Sequence, residues 1–380
     1  MSASAPAAPE AGRGAPEAAR TLRLAALLRE RELDLLLVAV PANLRYLTGF
    51  TGSNGLALIA AGADRPQRFL TDFRYATQSA AQLPELYDRQ IVPLDLLETA
   101  AGQLAEQRTG GRLGFDDAAL TVKQHGRLCE LLGAEWELMP AAGLVEGLRE
   151  LKDGRELERI RAAAQLADEA LRGVLEGGLA GRTERDVALE LELRMRRLGA
   201  RAPSFPSIVA AGAHSALPHA EARDVAIPPD TLVTIDWGAL HEGYCSDCTR
   251  TYATGERLPD EDREVYALVL RAQLAGLAAV RPGPNGREVD AVAREVIEHA
   301  GHGEHFGHGL GHGVGLEVHE APRLSRIAGE EPLRAGHIVT VEPGVYIPGR
   351  VGVRIEDLLA VTEAGHTVLN GLPKELTVVA

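Results

Sequence analysis

Four acidic residues stand where strands are expected. Asp236 and Asp247 lie in "VTIDWGALHEGYCSDCTRT", and Glu342 and Glu356 lie in "HIVTVEPGVYIPGRVGVRIED". In the first segment Val233, Ile235 and Trp237 share one face of a strand, and Thr234 and Asp236 share the other. Asp247, Thr249 and Thr251 share a face on the return. A turn near His241-Glu242-Gly243 would set the two aspartates roughly opposite each other, with Cβ atoms about 4.5–5.5 Å apart. In the second segment Ile338, Thr340 and Glu342 share a face, as do Arg354 and Glu356 on the return. A turn centred near Pro348-Gly349-Arg350 sets Glu342 across from Glu356. Pro343-Gly344 ends the first strand directly after the glutamate. Opposed like charges destabilise a sheet unless a cation lies between them. Two such pairs in valine-rich strands point to a pair of divalent cations, which bridging carboxylates hold about 3.5–4 Å apart.

Half of the twelve histidines fall between His299 and His319. The stretch "FGHGLGHGVGLEVHE" carries His308, His312 and His319. The spacing of His308 and His312 is that of a helical zinc motif. Glycine at 307, 309, 311, 313 and 315 makes a helix unfavourable, and no glutamate follows His308. The stretch is therefore read as a loop or irregular strand that brings backbone and imidazoles close to a ligand. His302 and His305 are read as surface residues. "AGAHSALPHA" brings His214 and His219 ahead of the first acidic segment. His219 is read as contacting substrate, and His214 is left out of the site.

The elements that must carry these groups divide in two. Residues 1–19, rich in Ala, Pro and Gly, read as a disordered tail. Residues 20–145 read as a small α/β domain. It has an amphipathic helix in "TLRLAALLRERELD" and strands in "LLLVAV", "NGLALIAAG", "QRFLTD" and "WELMPAAG", with a helix in "KQHGRLCELLG". Residues 146–380 read as the second domain. A charged helical stretch, broken at Asp153-Gly154, leads into it. Helices follow at 183–198, 259–280 and 286–300, around the two acidic segments and the histidine-rich loop.

Bulk composition bounds the function. The chain has 380 residues, 45% apolar, which is enough to bury a core. The net charge of −14 and the absence of a basic stripe argue against nucleic acid. No run of about 18 apolar residues occurs, so no membrane span is expected. Three cysteines make no disulfide framework, which suits a reduced cytoplasm. Cys245 and Cys248 read as lying inside one strand, on opposite faces, and are given no redox or zinc role.

The ordered series "SALPHA", "TIDWGA", "SDCTRT", "GHGLGHGVGLEVHE", "TVEPGVY" and "VRIED", covering about 210 to 360, resembles the pita-bread metallopeptidases. Within them it resembles the Xaa-Pro peptidases, prolidase and aminopeptidase P. "NLRYLTGFTGSNG" is similar to their smaller first domain. The resemblance implies an α/β (α+β) protein: a creatinase-like N-terminal α/β domain, then a pita-bread domain whose curved, mostly antiparallel sheet is covered by helices. It implies five metal ligands. Asp236 would hold one ion, Asp247 would bridge, His312 would be the imidazole ligand, Glu342 would bind the second ion, and Glu356 would bridge. Two divalent ions per subunit are implied, usually Mn2+, with Co2+ or Zn2+ as alternatives. It also implies hydrolysis by a metal-activated water, with Glu342 taking and returning protons. His219, His308 and His319 would line the substrate side, with His319 bonding the carbonyl oxygen. Arg354 would orient carboxylates. Arg323, four residues after His319, resembles the arginine with which prolidases hold a dipeptide's free carboxylate. The expected substrates are Xaa-Pro dipeptides or short peptides, cleaved by a dipeptidase or, alternatively, by an aminopeptidase P. A homodimer is implied. A metal-free binding protein of the same fold, a creatinase and a methionine aminopeptidase are the rival readings.

Overall fold

A computed structural model describes residues 15–62, 65–93, 95–107 and 110–379. The chain divides into two compact units, Met1–Arg149 and Glu150–Ala380.

The first unit is built on a six-stranded mixed sheet. Its spatial order is Tyr87–Ile91, Gln67–Thr71, Gly55–Ala60, Leu35–Val38, Gly111–Phe115 and Trp136–Pro140. Leu35–Val38 is central and buried along its whole length, which is why it reads as an unbroken apolar run. Leu37, Leu58, Leu70, Leu104, Leu113 and Trp136 are among its core residues. Three helices of this unit, Pro41–Thr48, Ala76–Gln82 and Leu96–Glu106, were not anticipated. The opening helix spans Ala15–Glu30. It therefore takes in residues 15–19, which had been assigned to the disordered tail; residues 1–14 of that tail lie outside the described residues. The short helix Leu144–Arg149 belongs to this unit, so the boundary falls after Arg149 and not after 145. The reason is polar: Asn43 donates to Glu146 at 2.6 Å, Arg149 donates to Asn43 at 2.7 Å, and Tyr46 donates its hydroxyl to the Leu148 carbonyl at 2.9 Å.

The second unit contains antiparallel sheets under helices. The helix Gly154–Leu175 begins at the expected break. Asp153 caps it and Glu156 reaches back to the cap, satisfying its first orphan amides. Asn285 and Glu288 do the same for Gly286–His299. The helices Gly154–Leu175 and Glu184–Arg197 pack on the strands Ile208–Ala211 and Leu232–Trp237, burying Leu171, Leu191, Val233, Ile235 and Trp237. Trp237 also donates its indole hydrogen to the Ala167 carbonyl at 2.9 Å. The helices Asp260–Ala279 and Gly286–His299 cover Ile338–Val341, Val351–Arg354 and Asp357–Thr362 in the same way. Part of the other face of these strands is apolar as well: Ile338, Leu358 and Ala360 pack with Ile160 and Ala164.

Candidate metal centre

The two acidic segments are laid out differently. In the first, Leu232–Trp237 pairs with Cys248–Ala253 so that Asp236 faces Thr249. Asp247 is therefore a diagonal neighbour of Asp236 and not its direct opposite, which corrects the expected pairing. The cause lies in the turn. The chain reverses at Glu242-Gly243, both at positive φ (46° and 84°), and the register set there, Leu240 with Cys245 and His241 with Tyr244 in the ladder Ala239–His241 with Tyr244–Cys245, continues past Gly238 to Asp236 with Thr249. Cys245 and Cys248 consequently sit on two different strands, both buried and unbridged. In the second segment the expectation holds. Val341 pairs with Asp357, and Gly344 pairs with Arg354. That register aligns Glu342 with Glu356 across the gap between two strand pairs.

His312 arrives on the strand Gly311–Gly313, held between Glu320–Leu324 and Ile338–Val341. A Cβ on Gly311 would meet the Thr340 carbonyl at 2.1 Å, and one on Gly313 would meet the Ala321 carbonyl at 2.2 Å. The flanking glycines allow this close approach. His312 Nδ1 lies 3.0 Å from the Gly313 carbonyl. A carbonyl only accepts, so Nδ1 carries the hydrogen and Nε2 is the nitrogen that faces the acids, with a lone pair for a cation once it is deprotonated.

Asp247, His312 and Glu356 each offer a ligand atom, all within 4.8 Å of one another. Glu342 Oε1 lies 3.3 Å from His312 Nε2. Asp236 joins through Arg354, whose Nη2 donates to Asp236 Oδ2 at 2.6 Å. Arg354 Nη1 donates to the Tyr346 hydroxyl at 2.8 Å, and Nη1 also reaches the Pro218 carbonyl at 3.2 Å. Tyr346 passes its own hydrogen to His308 Nε2 at 2.9 Å, because His308 Nδ1 is committed to the Gly309 carbonyl. The His319 ring stacks edge-on to His312 with centroids 4.3 Å apart. His219, His319 and Arg323 are exposed, and His219 and Arg323 bear on the centre through the field that both exert at His319. His214 is instead held by the buried Glu184 carboxylate at 3.0 Å, a structural partner.

The electrostatics call for a cation. Burial pushes the Asp247 carboxyl well above its usual range, and the charges of Glu356 and Asp236 push it further. Burial, Glu342 and Asp236 do the same to Glu356. Burial also raises Asp236, partly countered by Arg354. Glu342 is the exception: against its burial, the hydrogen bond and charge of His312 bring it down to about 2. His312 is raised correspondingly, Glu342 outweighing the burial that lowers it. Asp236 Oδ1 and Glu356 Oε1 are buried with no hydrogen-bond partner among the described residues. Two orphaned carboxylate oxygens, mutual repulsion of acids and one imidazole lone pair fit divalent ions.

Three contributors escaped the sequence reading: Tyr346, Thr249 and Thr340, which accepts from the His312 amide at 3.0 Å. Face parity was the available signal, since Thr249 follows Asp247 by two positions and Thr340 and Tyr346 keep step with Glu342.

The Creatinase/Prolidase N-terminal domain model matches residues 20–151, and that of Metallopeptidase family M24 matches 158–363. An uncharacterized peptidase of Bacillus subtilis is 41% identical over 358 residues, covering 94% of this chain and 99% of that protein. The Xaa-Pro dipeptidase of Pyrococcus furiosus is 36% identical, covering 94% of this chain and 99% of its own length. Among solved structures, an Xaa-Pro dipeptidase from Bacillus anthracis aligns with a TM-score of 0.90 and 41% identity, over 95% of this chain and 99% of that one. The X-Pro aminopeptidase from Thermotoga maritima aligns at 0.84 and 33%, over 94% and 100%. The family match over the acidic unit, and likeness along nearly the whole chain, make this protein a metallopeptidase of family M24, in the Xaa-Pro peptidase branch of the pita-bread fold.

Proposed function

We propose that the protein hydrolyses the peptide bond before proline, and that it does so as an Xaa-Pro dipeptidase. The observation that carries this reading is the convergence of Asp247, His312 and Glu356 within 4.8 Å, beside two carboxylate oxygens that lack partners. Asp236, Asp247, His312, Glu342 and Glu356 hold two divalent ions, Mn2+ by preference, with Co2+ or Zn2+ as alternatives. Such ions supply Lewis acidity and lower the pKa of water. Glu342 takes a proton from the attacking water and returns it to the leaving proline nitrogen. His319 donates a hydrogen bond to the carbonyl oxygen as charge develops there. His219 and His308 flank the substrate, and Arg354 holds Asp236 in place. Arg323 grips the free carboxylate of a dipeptide, a task suited to a bidentate guanidinium.

The second reading is an aminopeptidase P, favoured by the likeness to the Thermotoga maritima X-Pro aminopeptidase. We place the protein in a reducing, cytoplasmic setting: its three cysteines are free, and no helix of the described residues is long and apolar enough to cross a membrane. A homodimer is carried over from the resemblance. The test is a panel of Ala-Pro, Met-Pro, Leu-Pro and Xaa-Pro-Yaa peptides, run after chelation and with each metal restored. Cleavage of the dipeptides, restored by Mn2+, is expected. No bound metal and no cleavage of any Xaa-Pro substrate would overturn the proposal and favour a metal-free binding protein.

A further inference from the structure

Between the two acidic strands lies a buried hydroxyl, Thr249, that none of the roles above uses. It is fully buried and directly faces Asp236 across the ladder. Arg354 Nε lies 2.9 Å from Thr249 Oγ1, and Thr249 Oγ1 lies 2.8 Å from Glu356 Oε2. A guanidinium nitrogen only donates, and a threonine hydroxyl has a single hydrogen. The direction is therefore settled: Arg354 donates to Thr249, and Thr249 donates to Glu356. The carboxylate oxygen so addressed is Oε2, and the buried oxygen with no partner is Oε1. At Asp236 the pattern repeats, with Nη2 on Oδ2 and Oδ1 unpartnered. The Glu356 amide also donates to the Thr249 carbonyl at 3.0 Å, which sets the height of the hydroxyl against the carboxylate.

We propose that Thr249 is a positioning residue that splits the grip of Arg354 between two carboxylates, one held directly and the other through the hydroxyl, so that each keeps one oxygen for a cation. A single guanidinium cannot lie flat against both acids. The threonine extends its reach by one hydrogen bond and turns Glu356 so that Oε2 is occupied and Oε1 is left. This inference rests on the metal-dependent reading above.

The test uses the full-length protein stripped with chelator and compares wild type, Thr249→Val, Thr249→Ser and Thr249→Ala. Mn2+ affinity is read by calorimetric titration, and the visible spectrum of the Co2+-loaded protein reports ligand geometry. Thr249→Val keeps the shape of the side chain and loses only the hydroxyl. It should weaken Mn2+ binding about 10–100-fold, the usual effect of removing a group that orients a ligand, and change the Co2+ spectrum. Thr249→Ser should restore affinity and spectrum. If Thr249→Val does not fold, Thr249→Ala serves in its place against the same two measurements. Wild-type affinity and spectrum in the hydroxyl-free variant would overturn the inference, and so would a Ser variant as weak as the Val variant. A wild-type protein that binds no divalent ion and cleaves no Xaa-Pro peptide would instead overturn the metallopeptidase reading of this site.

Discussion

Arg354 and Arg323 show how differently the same residue type acts at two depths. Arg354 is buried, and its hydrogen bonds go to Asp236, Tyr346, Thr249 and a carbonyl, which spends four of its five donors on geometry. Burial alone would lower its pKa; Tyr346 and the acids around it hold it well above the usual value, so it stays charged. Arg323 lies exposed at the strand Glu320–Leu324, where its guanidinium is available to a ligand. If it reads a dipeptide's free carboxylate, Arg323→Ala should lower kcat/KM on Xaa-Pro dipeptides roughly tenfold or more, the scale of a charged hydrogen bond. Xaa-Pro-Yaa peptides should be nearly unaffected. Steady-state kinetics on matched dipeptide and tripeptide pairs measures this, and equal losses on both would remove the role.

At the scale of elements, the strand Val351–Arg354 is wedged between two others. Thr234, on Leu232–Trp237, donates to the Gly352 carbonyl at 3.1 Å, and the Gly352 amide donates to Ser215 at 2.7 Å. A Cβ on Gly352 would stand 1.9 Å from the Ser215 carbonyl. The short 3-10 helix Gly212–Ala216, just before His219, is thus pressed against the strand that carries Arg354. Its other side is tied down by Glu184, which accepts from the Ala211 and Arg223 amides and from the Arg223 side chain. Gly352→Ala forces this contact apart and should destabilise the protein by about 1–3 kcal/mol, the usual effect of overpacking. It should also raise KM, because His219 moves with the displaced segment. Urea unfolding and substrate kinetics test both; an unchanged unfolding midpoint would show that the contact yields freely.

Across the whole molecule, acid sensitivity has a source outside the metal centre. His337 is buried, and its Nδ1 accepts the Arg334 amide at 3.1 Å, so the ring is neutral. Burial, then the charges of Arg334 and Lys152, lower its pKa to about 4. The Glu150 carboxylate, 4.0 Å away, opposes this too weakly to reverse it. The unfolded chain has the ordinary histidine value of about 6.5. Between those values the unfolded state binds more protons, so stability rises with pH. The contribution is complete above the unfolded value and is lost as pH falls towards 4. At about 1.4 kcal/mol per pH unit the loss amounts to roughly 3 kcal/mol. His337→Gln removes the titration. The stability gap between wild type and variant should therefore narrow from pH 7 to pH 4.5 in urea melts, and a constant gap would refute the argument. Comparing the two proteins cancels the titration of the distant metal-site acids.

Periodicity is local, and it was legible. The break at Asp153-Gly154, the helices near 184–197, 260–279 and 286–299, and the acid-bearing strands all follow from neighbours within one or two turns. Glu342 and Glu356 were also paired from sequence, because the ladder on both sides of the Pro343-Gly344 break keeps one register. Asp236 and Asp247 were misaligned by two positions, because the turn is the two-residue Glu242-Gly243, both at positive φ, rather than one centred on Glu242, and its register carries through to Asp236 with Thr249. His312 was chosen over His308 by likeness alone. Only the closure of three strands around Gly311 and Gly313 turns its Nε2 towards the acids. The types and order of the candidate ligands were thus written into the chain. Which oxygen of each acid stays free was decided by Arg354 and Thr249, whose bonds to residues more than a hundred positions away exist only once the sheets have met.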